Sequence, residues 1–164
     1  MALTTLGVHM GYATTKTATS FEDIPGLKSI PSLSPAPDAL ESSTLAETEY
    51  KTYEEGLKDL GGALEFTSNF DNDFVTAWEA MITAQNGTDG KKLFFCVAHP
   101  DLDKAVRFEG KAAKLGLPET GVNAIWEATD YITPTGAPEF IDRPDIKSGN
   151  TIIINKKGSS ASQG

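Results

Sequence analysis

The stretch Leu64-Glu65-Phe66-Thr67-Ser68-Asn69-Phe70, continued by Asp71-Asn72-Asp73-Phe74-Val75-Thr76-Ala77-Trp78-Glu79-Ala80-Met81-Ile82, decides the fold class. In its first half, from Gly62 to Phe70, the apolar Leu64, Phe66 and Phe70 alternate with Glu65, Thr67 and Asn69. A period of two is the mark of a strand with one buried and one wet face. Then the period changes. Asp71, Asn72 and Asp73 offer side-chain oxygens that cap a helix, and Phe74, Val75, Trp78, Met81 and Ile82 fall on one helical stripe ending at Asn86-Gly87. That aromatic and methionine stripe reads as a core face rather than a cofactor pocket.

Downstream, Leu93 to Ala98 is a continuous apolar run of strand length, preceded by Lys91 and Lys92 and closed by His99-Pro100. Such a run predicts a strand buried on both faces. Two further strands are expected at Lys104–Leu115 and Val122–Ile132, joined by the turn-rich Gly116-Leu117-Pro118-Glu119-Thr120-Gly121. Val106 and Phe108 share a face of the first, whereas Ile125 and Trp126 point to opposite faces of the second, so both its sides should meet apolar partners. Pro134 to Gly149 reads as Pro- and Gly-rich connection, Thr151 to Asn155 as a short last strand, and residues 156–164 as a disordered polar tail. Upstream, residues 1–37 are rich in Thr, Ser, Pro and Gly, with prolines at 25, 31, 35 and 37. We expect an extended arm there, lying along another surface rather than entering a core, with the folded domain at 38–155.

A chain of 164 residues with 39% hydrophobic and 23% charged side chains suits one globular domain. Its formal net charge of -9 opposes a protein that grips nucleic acid through phosphates. The charge is uneven. Asp38 to Asp89 holds 12 acidic residues against Lys51 and Lys58, a net of -10, while Gly90 to Lys157 nets +1 and residues 1–37 balance. Two explanations stand side by side: a solvated acidic face, or a surface that repels an anion. One cysteine makes no internal disulfide, no apolar run approaches the roughly 18 residues of a membrane span, and Met1 to Met10 lacks the features of a secretory signal. Synthesis in the cytoplasm is the expectation.

The residues that carry chemistry are sparse. Carboxylates are many, but no spacing singles out an acid–base pair. Asp71-x-Asp73 and Asp101-x-Asp103 do not continue into a calcium loop, so capping and turn chemistry explain them. His9 and His99 cannot supply a site of several imidazole ligands, and Cys96 lies in the most apolar strand with no base beside it. Asn86-Gly87-Thr88 matches a glycosylation sequon that reads here as a turn, and no glycine-rich phosphate loop follows a strand. The expectation is a non-enzyme without cofactor or metal.

The stretch Ile24-Pro25-Gly26-Leu27-Lys28-Ser29-Ile30-Pro31 leads to Asp38-Ala39-Leu40-Glu41-Ser42-Ser43-Thr44-Leu45, then through Tyr50-Lys51-Thr52-Tyr53-Glu54-Glu55-Gly56-Leu57-Lys58-Asp59-Leu60-Gly61 to Leu64-Glu65-Phe66-Thr67. This order resembles the major tail tube proteins of long, non-contractile bacteriophage tails. Their proline-rich arm leads to a strand ending in a Thr-Thr-Leu-like sequence, then to a loop with a Tyr-x-x-Gly-Leu/Ile-Lys-Asp core. A strand of alternating aromatics and threonine follows. Ser43-Thr44-Leu45 and Gly56-Leu57-Lys58-Asp59 match well, and the likeness covers roughly residues 11 to 140, with Gly61-Gly62 and the residues before Met10 as departures.

The resemblance implies a mainly β (α+β) fold: a small β-sandwich or partly rolled barrel with one flanking helix, six copies forming a ring and rings stacking into a hollow tube. It implies kinship with type VI secretion tube proteins, and the copy itself, tape-measure, tail-tip and tail-terminator proteins as partners. Viral DNA would pass without specific binding, no membrane segment is involved, and the location is the virion tail, assembled in the host cytoplasm. Glu41 and Ser43 in one strand and Glu65, Thr67 and Asn69 in the next are then candidates for the lumen. The loop from Glu47 to Leu60, with Tyr50, Tyr53, Glu54, Glu55, Leu57, Lys58 and Asp59, is the candidate inter-ring contact. The alternatives are a tube subunit of a secretion or gene-transfer particle and a monomeric β-sandwich binding module.

Overall fold

The computed structural model describes residues 3–33, 37–41, 53–58 and 63–158, with backbone alone for 37–41 and 53–58. The protein is mainly β, with a curled half-barrel sheet and, among the described residues, one α-helix. Its strands are β1 (His9–Ala13), β2 (Ser20–Asp23), β3 (Leu27–Ser29), β4 (Pro37–Glu41), β5 (Tyr53–Lys58), β6 (Leu64–Asn69), β7 (Leu93–Ala98), β8 (Lys104–Ala112), β9 (Glu127–Pro134), β10 (Glu139–Asp142), β11 (Asp145–Ser148) and β12 (Thr151–Ile154). Ten of them make one sheet in the order β12-β11-β2-β1-β7-β8-β9-β6-β3, with β10 on β8, while β4 and β5 form a separate antiparallel ladder.

Helix α1 (Asn72–Asn86) begins where the aspartates predict. Asp71 is its N-cap, and its Oδ1 accepts the Phe74 N–H at 2.9 Å. Gly87 closes it by donating back to the carbonyls of Thr83 and Ala84. Phe74, Trp78 and Met81 are buried as the stripe predicts, and Gln85 joins them. Two polar side chains pin the helix to the end of β8. Trp78 Nε1 donates to the Ala113 carbonyl at 2.9 Å, and Gln85 both donates to the Ala112 carbonyl and accepts the Ala112 N–H.

Two apolar clusters lie on opposite faces of the sheet. The larger joins α1 to Met10, Leu64, Phe66, Leu93, Phe95, Phe108 and Ile132; the smaller gathers Phe21, Cys96, Ala98, Ala105, Ile146 and Ile154. Strand β7 feeds both, Leu93 and Phe95 to one and Cys96 and Ala98 to the other, as a continuous apolar run should. Strands β9 and β10 lie end to end along one margin of β8, with the Thr135 N–H donating to the Glu109 carbonyl at the step. Gly110 stands at that crossing, where a Cβ would come within 2.9 Å of the Thr133 carbonyl oxygen.

Three expectations are corrected. Residues 9–29 are three strands rather than an arm: β1 lies inside the sheet between β2 and β7, with Met10 fully buried. The first proline is Pro25, so β1 and β2 keep every N–H donor, and the proline argument does not reach them. The strand expected from Val122 begins at Glu127 instead, because Asn123 adopts a left-handed φ of 57°. Ile125 therefore faces solvent, and Trp126 packs edge-on against Phe70 at 4.7 Å. The connection expected over 134–149 contains β10 and β11, each starting one residue after Pro138 or Pro144, so these prolines bracket strands instead of interrupting them.

Candidate functional site

The alternation of β6 sets up the site. Leu64, Phe66 and Ser68 turn into the protein, while Glu65 is exposed and Thr67 and Asn69 are half-buried on the opposite face. Antiparallel pairing brings Tyr131, Thr129 and Glu127 of β9 directly across from Glu65, Thr67 and Asn69. Cross-strand partners share a face, so six side chains form one polar surface. Lys28 of β3 extends it through an ion pair with Glu127, and Lys111 of β8, across from Thr133, continues it on the other side. Two carboxylates, Glu65 and Glu127, thus stand with two ammonium groups among hydroxyls and one amide. This surface is polar and evenly charged.

A buried polar pair lies on the other side of the same two strands. Ser68 Oγ donates to Asp130 Oδ2 at 2.6 Å, and Asp130 Oδ1 has no hydrogen-bond partner. Burial pushes the Asp130 carboxyl above the usual carboxylate range, partly offset by the Ser68 hydrogen bond. Asp23 is raised by burial too, against its contact with His9 Nδ1 at 3.0 Å. Burial also pushes the Cys96 thiol up to about 12, leaving it an apolar filler of the smaller cluster.

Glu65, Thr67 and Asn69 are therefore brought together, but Glu41 does not join them in one sheet. It belongs to β4, paired with Tyr53 of β5, in the separate ladder. Ser43 lies outside the described residues, as do Tyr50 and Asp59. Tyr53, Glu54, Glu55, Leu57 and Lys58 fall within β5, so the second half of the expected loop is a strand, with Leu40 across from Glu54 and Ala39 across from Glu55. The β9 half of the surface escaped sequence reading. Its signal was present in Glu127-Ala128-Thr129-Asp130-Tyr131-Ile132-Thr133, which alternates as cleanly as β6, with a carboxylate at an inward position.

No group of three or more histidine, cysteine, aspartate or glutamate side chains is placed to hold a metal ion among the described residues. No helix of the described residues is long and apolar enough to cross a membrane. The chain matches no protein-family model and no curated protein.

Proposed function

We propose that the chain is a structural, non-enzymatic subunit that self-assembles into stacked hexameric rings, the tail tube of a long, non-contractile-tailed bacteriophage through which viral DNA passes. The observation that carries the reading is the β6–β9 surface: a regular polar face, without a cationic excess, on a sheet whose other side holds the main apolar cluster. A conduit for DNA needs a wall that does not bind phosphate. Threonine, asparagine and balanced charges avoid cationic capture, and the net -10 of Asp38–Asp89 adds long-range repulsion.

The sheet margins support the same reading. Among the described residues strand β12 pairs with β11 on one side alone, and its Ile152 and Ile153 are exposed. An aliphatic edge of this kind is an aggregation hazard in a solitary protein and a joint in an assembly. Tape-measure, tail-tip and terminator proteins are the partners this reading calls for.

Sedimentation and negative-stain images of the concentrated protein, with and without tail-tip complexes, test it. Hollow stacked rings are expected, and solitary particles under every condition overturn the reading. Replacing Glu65→Lys together with Thr129→Lys, both exposed on the β6–β9 surface, should leave assembly intact and slow genome ejection. Unchanged ejection removes these residues from the lumen.

A further inference from the structure

We infer that the cleft between β10 and the turn joining β1 to β2 is a binding site for a small monocarboxylate with a short apolar chain, received by Arg107 and Lys16 over Phe94. The inference stands apart from the ring-forming reading, and neither depends on the other.

Strand pairing builds the cleft. Cys96 pairs with Arg107 and Phe94 with Glu109 across β7 and β8, so these four side chains share the face that carries the smaller apolar cluster. On the other margin of β8, Glu139 of β10 lies directly across from Arg107, and the chain reaches it from β9 by way of Gly136 and Ala137. The turn between β1 and β2 brings Lys16 to the same place, where its carbonyl accepts Arg107 Nη1 at 2.7 Å. The result is an open cleft of about 180 Å³ lined by Lys16, Phe94, Arg107, Glu109, Gly136 and Glu139. Sites for drug-sized ligands hold roughly 300–1,000 Å³, so the occupant here is smaller. The cleft shares no residue with the β6–β9 surface.

Charge gives the occupant its sign. Glu109 is already served, since Thr135 Oγ1 donates to it at 2.8 Å and Lys92 Nζ lies 3.2 Å away. The Arg107 side chain, 14% exposed, gives Nε and Nη2 to one oxygen of Glu139 and Nη1 to the Lys16 carbonyl. One N–H on each of Nη1 and Nη2 is left without a partner among the described residues, and the Lys16 ammonium makes no ion pair there. Both carboxylates are held below the usual range, Glu109 chiefly by the Thr135 hydroxyl and Glu139 chiefly by Arg107, so both count as charged. Lys16, Lys92 and Arg107 against Glu109 and Glu139 leave one positive charge over, in a chain of net charge -9. A monocarboxylate cancels that surplus, and its two oxygens match a guanidinium edge. A phosphate dianion would turn the surplus into a negative excess beside Glu109 and Glu139. Phe94 is half-buried, and Gly136 and Ala137 bring no polar side chain, so the rest of the ligand meets an apolar wall.

Saturation-transfer NMR of the full chain with sodium butyrate at constant ionic strength tests this. It reads the protons of butyrate, so it serves a dispersed and an assembled chain alike. The signal should level off with a midpoint of about 1–10 mM. Glu139→Gln removes a repelling carboxylate and should tighten binding about threefold, while Lys16→Gln should weaken it about threefold. Both side chains are exposed, and circular dichroism confirms that the variants are folded. Sodium propionate at the concentration of butyrate should displace it, and phosphate at that concentration should not. The inference is overturned if the signal does not saturate by about 100 mM, or if either variant binds butyrate as the wild type does. It is also overturned if phosphate displaces butyrate as well as propionate does, because the cleft would then be collecting charge alone.

Discussion

Strands β7 and β6 belong to the same sheet, separated by β8 and β9, and they solve opposite problems. Strand β7 is clad on both faces, with Phe95 in the larger cluster and Cys96 in the smaller. Strand β6 is clad on one, with Phe66 in the larger cluster and Thr67 next to it on the polar surface. The second cover over β7 comes from the far end of the chain: Ile146 and Ile154, on β11 and β12, pack with Cys96 and with Phe21 of β2. No strand returns in that way over β6 and β9 among the described residues. What separates a strand covered on both faces from one with a wet face here is the reach of the C-terminal strands.

The comparison is most easily broken at the large side chains. Phe95→Ala and Phe66→Ala should each cost about 3–5 kcal/mol, read as a shifted denaturant midpoint, because both leave cavities in the larger cluster, where Phe95 stacks on Phe108 at 5.4 Å. On β7 the neighbouring position should matter too. Cys96→Ser places a hydroxyl in the smaller cluster and should cost about 1–3 kcal/mol. A neutral result there would show that this face of β7 is not closed.

Asp130 sharpens the contrast in the other direction. Its carboxyl is raised by burial, so between the unfolded-state and folded-state values the folded protein holds a proton that the unfolded chain has released. Its contribution is therefore favourable at acid pH and is lost as pH rises through the folded-state value. Asp130→Asn keeps an acceptor for Ser68 and removes the buried charge. It should raise stability near neutral pH by about 1–3 kcal/mol, with the gain shrinking as pH falls toward 4. Denaturant midpoints of both proteins across that range check it, and subtracting the two profiles removes the similar contribution of Asp23, which is also raised by burial.

Smaller effects belong to the margins of the site. Asp71→Ala removes the cap that orients α1 beneath the sheet and should cost about 0.5–2 kcal/mol in the same assay. Thr67→Ala and Glu65→Lys lie on the wet face of β6 and should move stability by no more than about 0.5 kcal/mol. A large loss from either would mean that this face is covered in the folded monomer, and would overturn the proposal that it forms a channel wall.

Much of this was legible along the chain. The cap at Asp71, the stop at Gly87, the alternation of β6 and the double-sided burial of β7 all follow from residues within one element, because side-chain period and capping chemistry act over a few positions. The site was half legible for the same reason. Glu65, Thr67 and Asn69 read as one wet row, while their partners Tyr131, Thr129 and Glu127 lie 66, 62 and 58 positions away in a strand that starts at Glu127 and not at Val122. Prolines misled at both ends of the chain: composition averages over a window, and one proline constrains its own N–H and its immediate neighbour.

By itself, the amino-acid order determined which segments alternate, which run continuously apolar, where the helix starts and stops, and that the negative charge is concentrated between Asp38 and Asp89. The tertiary structure alone decided that β1 enters the middle of the sheet, that β11 pairs in parallel with β2 to close the second cluster, and that β4–β5 stands as its own ladder. The reason is one of range. Periodicity and capping are local, whereas strand order depends on which distant edges bury the most apolar surface while satisfying their backbone hydrogen bonds, and no single segment carries that information.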